Sequence, residues 1–189
     1  GVYLDKVEQM GFELDFNKTL IDKGPHHTID LIFIYLLFPN SKLILSVRHP
    51  MDVCVSCFEQ DFEPTQRNQT LITLDDITER YRQVFSLLEK YEKVLDLDIL
   101  ELKYEELVLD FDTQMKNVFS FIHHTPTDGF GRFYEHASNK FVQSSSRGQT
   151  NKPLYNSSIN GWLKYRTHVE QYIPQLKYFI DKYGYNKNV

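Results

Sequence analysis

The stretch KLILSVRHPMDVCVSCF, residues 42–58, decides the fold that the sequence predicts. Its first six residues form a largely apolar run of strand length, which is typical of a strand covered on both faces of a sheet. A helix is predicted to follow from about Pro50 through Phe58, because proline is well tolerated in a first helical turn. A strand that passes directly into a helix is the repeating unit of an α/β fold with a parallel sheet.

The same alternation extends outward from this stretch in both directions. We predict strands at residues 19–23 and 98–103, and helices at 3–12, 28–38, 74–94 and 111–122, with a last helical region at 162–183 interrupted at Pro174. Residues 138–158 are polar and without periodicity, which predicts a long loop. We therefore predict one α/β domain over residues 1–189, with three layers and a mostly parallel sheet flanked by helices.

Composition excludes several classes of protein. Hydrophobic residues make up 41% of the 189 residues, enough for one domain with its own core. A net charge of −5 argues against a general nucleic-acid surface, although a local basic pocket remains compatible with it. We see no run of about 18 apolar residues of the kind that spans a membrane. Trp162 is expected to anchor the core, and Glu105 and Glu106 are expected to be solvated or helix-start charges.

The two cysteines, Cys54 and Cys57, allow more than one interpretation. Their C-x-x-C spacing near a helix start is compatible with a dithiol redox site. Zinc would need two further ligands, and the chain has no second cysteine pair. We favour two buried thiols on an amphipathic helix and expect no metal.

Three polar side chains directly follow predicted strands: Lys23, Arg48 and Tyr104. In an open parallel sheet, ligands bind beyond the carboxyl ends of the strands. Ser56 comes eight residues after Arg48, about two turns into the next helix. A guanidinium and a hydroxyl presented together suit a phosphate, since both donate hydrogen bonds and the guanidinium adds charge.

The wording around Arg48 is more specific than its spacing. Residues 37–44, LFPNSKLI, and 47–62, VRHPMDVCVSCFEQDF, closely resemble the sulfotransferase superfamily. Further resemblances are DKGP at 22–25, LKYEELV at 102–108, SRGQ followed by NKPLY at 146–155, and GWLKY at 161–165. The wording is most similar to bacterial sulfotransferases that carry tetratricopeptide repeats, distant relatives of the tyrosylprotein sulfotransferases. The resemblance implies a P-loop-NTPase-like fold and 3′-phosphoadenosine 5′-phosphosulfate as sulfuryl donor.

The resemblance also implies roles for individual residues. Lys23 would face the transferring sulfuryl group and Ser146 would hold the donor in line. The residues implied in binding the nucleotide, three at the 3′-phosphate and the tyrosine near the adenine, are Arg48, Ser56, Lys152 and Tyr104. The acceptor is expected to be a hydroxyl of a protein tyrosine, a sugar or a small alcohol, and the sequence does not choose among them.

The chain also departs from the family pattern. Nothing between Gly1 and Lys23 resembles the glycine- and serine-rich loop that cradles the donor's 5′ end, so we expect the chain to lack the first βα unit and the family's glutamate base. On its own the chain is expected to be weakly active or inactive. His26 and His27 stand where relatives carry an apolar residue and asparagine; helix-start packing or capping is preferred over a catalytic base.

Two other classes of function stay open at this point. One is a non-catalytic nucleotide-binding or interaction module descended from a sulfotransferase, and the other is an unrelated phosphotransferase or interaction domain. The compartment is unknown, with the cytoplasm favoured.

Overall fold

The computed structural model describes residues 2–15, 18–60, 71–126, 130–132 and 155–185. Within these ranges two strands, β1 (Lys42–Val47) and β2 (Asp98–Lys103), pair in parallel to form a small sheet flanked by helices. The register runs without a bulge from Lys42 opposite Asp98 to Val47 opposite Lys103. The predicted α/β class is therefore confirmed.

Helices surround this sheet in the order that the sequence predicts, with one addition. They are α1 (Val2–Gln9), α2 (Leu31–Leu37), α3 (Pro50–Phe58), α4 (Leu74–Val94), α5 (Tyr104–Leu109), α6 (Phe111–Phe121), α7 (Arg166–Val169) and α8 (Ile173–Lys182). Short 3₁₀ turns occupy Phe130–Arg132, Gly161–Tyr165 and Glu170–Tyr172. No helix in the described ranges is both long and apolar enough to cross a membrane.

The long helix α4 shows why its sequence signals are reliable. Thr73 caps its first turn by accepting a hydrogen bond from the Asp76 amide at 3.1 Å. Its apolar stripe buries Ile77, Tyr81 and Leu88. Both ends of the helix lie where the periodicity predicts them.

The core lies where α3 and α4 meet the C-terminal helices. Trp162, Met51 and Leu176 are fully buried there, so the prediction of Trp162 as a core anchor is confirmed. Rings fill much of the remaining space, with Tyr81 stacked on Phe85 at 4.3 Å between centroids. The high aromatic content of the sequence therefore forms the packing between helices.

Some predicted elements differ from the structure. Residues 19–23 form no strand: Ile21 is 79% exposed, and no described strand lies beside this segment to complete a ladder. Helix α2 begins at Leu31 rather than at Thr28, because residues 25–30 form turns. Only residues 155–158 of the loop predicted at 138–158 are described, and they form no helix or strand.

The expectation that β1 is covered on both faces was also wrong. Ile44 is 43% exposed and Ser46 is exposed, while Val47 is fully buried. An apolar run reports strand length and hydrophobicity, but coverage depends on elements that pack from elsewhere. Helix α5 was not predicted either, because it begins at Tyr104 directly after the last residue of β2 and is only six residues long.

Candidate functional site

The register of the sheet brings Arg48 and Tyr104 together. Their preceding residues, Val47 and Lys103, are the last pair of the parallel ladder. Arg48 Cζ lies 5.0 Å from the centroid of the Tyr104 ring, within the range of a cation–π contact. Two residues predicted from the sequence as neighbours at the carboxyl end of the sheet are therefore in contact.

The Arg48 guanidinium is held by a neutral group rather than by a close ion pair. Its Nη2 donates to the carbonyl oxygen of Ser158 at 2.6 Å and lies 3.9 Å from an Asp52 carboxylate oxygen. Its Nε is buried and has no hydrogen-bond partner among the described residues. The side chain remains 23% exposed, so this end of the sheet presents a cation with hydrogen-bonding capacity left.

Asp52, in the first turn of α3, is a buried carboxylate beside this cation. It is 2% exposed and accepts two backbone hydrogen bonds, from Asn160 and from Trp162, each at 2.9 Å. Burial raises the pKa of Asp52, and the hydrogen bond from Trp162 and the charge of Arg48 oppose that rise. The carboxylate thus ties the start of α3 to the segment that precedes α7.

The turn between β1 and α3 is fixed by His49 and Glu105. Glu105 accepts hydrogen bonds from the His49 amide at 2.9 Å and from the Tyr185 hydroxyl at 2.7 Å. His49 Nδ1 accepts from the Met51 amide at 3.2 Å, which caps α3. The His49 ring stacks on Trp162, and its burial lowers the pKa of His49 to about 4.

Tyr104 is also engaged by the segment that holds Arg48. Burial raises the pKa of Tyr104, whereas the charge of Arg48 and a hydrogen bond from the Ser158 side chain oppose this. The hydroxyl of Ser158 therefore serves Tyr104 while its carbonyl serves Arg48. Residues 158–162 close over the carboxyl ends of both strands.

The other predicted site residues differ in how the structure places them. Ser56 lies half-buried on α3, and the described contacts do not join it to Arg48. Ser146 and Lys152 lie outside the described residues. The roles predicted for these three residues stay predictions.

Lys23 is exposed and belongs to a second polar cluster, which we name the Lys23 turn (residues 19–27). Within it Asp22 accepts a hydrogen bond from the Tyr3 hydroxyl at 2.7 Å and lies 3.2 Å from His27 Nε2. Gly24 makes room for His27, since a Cβ there would lie 2.8 Å from the imidazole ring. His27 therefore packs within its own turn, as expected for a helix-start residue.

The contacts of the Lys23 turn lead toward the amino end of β1. Tyr3 packs edge-on against Phe38, four residues before the strand begins, at 5.3 Å between centroids. Thr19 Oγ1 lies 2.6 Å from His124 Nε2, just beyond α6, and Phe121 of α6 lies 4.6 Å from Lys42 Nζ. A six-residue strand spans roughly 20 Å. In the described part of the chain, no contact joins the Lys23 turn to Arg48.

The cysteines have the surroundings expected of buried thiols. Cys54 is fully buried and Cys57 is half-buried, and both are free. Burial raises the pKa of both thiols, although the charge of Arg48 opposes this at Cys57. Because the thiolate is the reactive form, these surroundings disfavour dithiol chemistry. The described residues include no group of three or more His, Cys, Asp or Glu side chains placed to hold a metal ion.

Comparison with known proteins decides the family. The pattern of the sulfotransferase family matches residues 2–128, which include Lys23, Arg48, Ser56 and Tyr104. The chain belongs to the sulfotransferase family. It is also 26% identical, over 176 residues, to an uncharacterized protein of Aquifex aeolicus (strain VF5). That alignment covers 93% of this chain and 22% of the relative, so the sulfotransferase chain spans about a fifth of the relative's length.

Three functional side chains of this sulfotransferase chain were missed by sequence reasoning. Asp52 follows Arg48 by four residues in the first turn of an apolar helix, a position that was available as a signal. Glu105 lies at a helix start, as expected, but it also anchors His49 and Tyr185 rather than facing solvent alone. The Ser158 carbonyl could not have been found, since backbone groups leave no trace in a residue pattern.

Proposed function

We propose that this chain forms the 3′-phosphate side of a donor site in an enzyme that transfers a sulfuryl group from 3′-phosphoadenosine 5′-phosphosulfate to a hydroxyl. The observation that carries the proposal is the Arg48 guanidinium, which stands over Tyr104 at the carboxyl end of the sheet with an unpartnered Nε. Membership of the sulfotransferase family supports the class of reaction.

The chemistry of this end of the sheet fits a phosphate. Arg48 donates to a carbonyl rather than to a carboxylate at hydrogen-bonding distance, so its charge is not cancelled by a short ion pair. The oxygens of Asp52 are occupied by backbone amides, which limits their competition for the guanidinium. An incoming phosphate can therefore form charge-assisted hydrogen bonds with Arg48.

The proposed reaction is an in-line displacement. The acceptor oxygen forms a bond to sulfur while the bond from sulfur to the donor's phosphate oxygen breaks, and the acceptor's proton passes to a base. Positioning and electrostatic stabilisation supply most of the catalysis in such transfers. We assign Lys23 to charge developing on the sulfuryl or leaving oxygens, and Ser146 to alignment of the donor. The acceptor is a protein tyrosine, a sugar or a small alcohol.

Titration calorimetry with a matched pair of nucleotides tests the proposal. Adenosine 3′,5′-bisphosphate and adenosine 5′-phosphate differ only in the 3′-phosphate. We expect Arg48→Ala to weaken the bisphosphate about a hundredfold and to leave the monophosphate little changed, because charge-assisted hydrogen bonds are worth about 2–3 kcal/mol. Arg48→Lys should fall between, since lysine keeps the charge and loses the fork.

Arg82→Ala is the matched control. Arg82 lies on the exposed face of α4 and pairs with Glu79, so its removal should not alter binding of either nucleotide. Equal affinity of wild type and Arg48→Ala for the bisphosphate would reject the proposed clamp.

A further inference from the structure

The proposed function leaves one buried charge without a role. Asp52 is 2% exposed, and both of its carboxylate oxygens accept hydrogen bonds from one short segment. Oδ2 accepts from the Asn160 amide and Oδ1 from the Trp162 amide, both at 2.9 Å. Burying a carboxylate is unfavourable unless such bonds compensate it, so apolar packing alone does not explain an aspartate here.

The same segment fixes Arg48. Ser158, two residues before Asn160, accepts from Arg48 Nη2 through its carbonyl oxygen at 2.6 Å. Asn160 has φ of +56°, a left-handed conformation that turns the chain between the Ser158 carbonyl and the amide of Trp162. Asp52 Oδ2 itself lies 3.9 Å from Arg48 Nη2. One carboxylate therefore adjoins the cation and also holds the backbone that orients it.

We propose that Asp52 is a positioning residue, which sets the direction of the Arg48 guanidinium toward a 3′-phosphate by anchoring residues 158–162. The inference rests on the proposed function. Arg48 has only one hydrogen bond from its guanidinium to the described residues, so a shift of the Ser158 carbonyl leaves the guanidinium free to rotate. Affinity for a phosphate depends on paired donors in fixed directions, and rotation removes that pairing.

A matched pair of carboxylates separates positioning from general stability. Asp75 accepts a hydrogen bond from the Tyr172 hydroxyl at 3.0 Å, joining α4 to the C-terminal helices away from Arg48. Asp52→Asn keeps the size of the side chain but replaces one acceptor with a donor that faces a backbone amide. Asp75→Asn makes the same chemical change at a contact that does not touch residues 158–162.

The measurement is the affinity of each variant for adenosine 3′,5′-bisphosphate and adenosine 5′-phosphate, with amide hydrogen exchange at Asn160 and Trp162. We expect Asp52→Asn to bind the bisphosphate about tenfold more weakly, with little change for the monophosphate and faster exchange at both amides. Asp75→Asn should leave both affinities and both amides as in wild type.

A second pair of variants keeps the test decisive if Asp52→Asn fails to fold. Asn160→Gly retains access to the left-handed conformation, whereas Asn160→Val strains it. We expect Asn160→Gly to bind the bisphosphate like wild type and Asn160→Val to weaken it as Asp52→Asn does. Neither substitution alters a charge.

The outcomes separate this inference from the proposed function. If Arg48→Ala lowers bisphosphate affinity while Asp52→Asn and Asn160→Val do not, the positioning role is overturned and the clamp stands. Faster exchange at Asn160 and Trp162 with unchanged affinity also overturns it, because the anchor would then be structural. If wild type and Arg48→Ala bind the bisphosphate equally, the proposed function fails and the inference fails with it.

Discussion

The Arg48 end of the sheet and the Lys23 turn resemble the same family equally well in sequence, yet they differ in structure. Arg48 is connected to two strand ends, to a buried aspartate and to the segment before α7. Lys23 is exposed in a turn whose described contacts go to Tyr3, and through it to Phe38, and to His124. The first region is built from long-range contacts within a core, and the second from a few contacts at its margin.

This difference shows what a motif fixes. The spacing between Arg48 and α3 lies within one strand–helix unit, so local geometry determines where the arginine points. Lys23 is joined to that unit only through α2 and a series of turns, and its position depends on what packs around them. A short sequence word therefore gives the chemistry of a residue more reliably than its neighbours in space.

The largest expected contrast is in stability. Trp162→Ala should lower the free energy of unfolding by about 3–5 kcal/mol, because a fully buried indole stacked on His49 leaves a cavity. Ile21→Ala in the Lys23 turn should change it by less than about 0.5 kcal/mol, since that side chain is already 79% exposed. Urea unfolding monitored by far-ultraviolet circular dichroism measures both. Comparable losses in the two variants would mean that the Lys23 turn is covered by the core.

A smaller contrast is expected from pH. The folded pKa of His49 is about 4, below the ordinary value of 6.5, so the unfolded chain binds the proton more tightly. Stability from His49 is therefore present above about pH 6.5 and is lost as the pH falls toward 4. Between pH 7 and pH 4.5 the loss should be about 2 kcal/mol. Arg48 contributes to this shift by repelling the protonated ring, although burial is its main cause.

His49→Asn isolates the histidine in this experiment. Asparagine is a good helix cap and does not titrate, so the variant should retain α3 and lose about 2 kcal/mol less than wild type on acidification. The aspartates and glutamates titrate in both proteins, and the difference between the two removes them. Parallel pH profiles for wild type and His49→Asn would contradict the assignment.

How far the sequence reached follows the same division between local and distant causes. The bounds of β1, α3, α4 and β2 were predictable because apolar periodicity and caps act within a few residues. The contact of Arg48 with Tyr104 was predictable from a parallel register. The strand predicted at 19–23 was wrong, because a short apolar run needs a neighbouring strand that the sequence does not specify. Asp52 was missed because the value of a buried carboxylate depends on amides more than 100 residues away.

A modest effect is expected at Asp22, the centre of the Lys23 turn. A hydrogen bond from the Tyr3 hydroxyl is the main reason that the pKa of Asp22 lies below its usual value, so its contribution exists above the unfolded pKa and is lost as pH falls through the folded one. The pair is solvent-exposed, and screening limits the cost of Asp22→Asn to about 0.5–1 kcal/mol at pH 7. Tyr3→Phe should cost a similar amount, and the double variant should cost little more. A pH-independent loss above about 2 kcal/mol would be contrary to an exposed cluster.

The smallest effect is expected for Lys23 in nucleotide binding. Adenosine 3′,5′-bisphosphate lacks the sulfuryl group that Lys23 is proposed to face, and no described contact joins this lysine to Arg48. Lys23→Ala should therefore change the affinity for the bisphosphate by less than about twofold in titration calorimetry, where Arg48→Ala changes it about a hundredfold. Lys18→Ala, a charge removed from the residue just before the same turn, is the control for a general electrostatic effect. A tenfold loss confined to Lys23→Ala would instead place the Lys23 turn against the bound nucleotide, and the two regions would then form one site despite their separate packing.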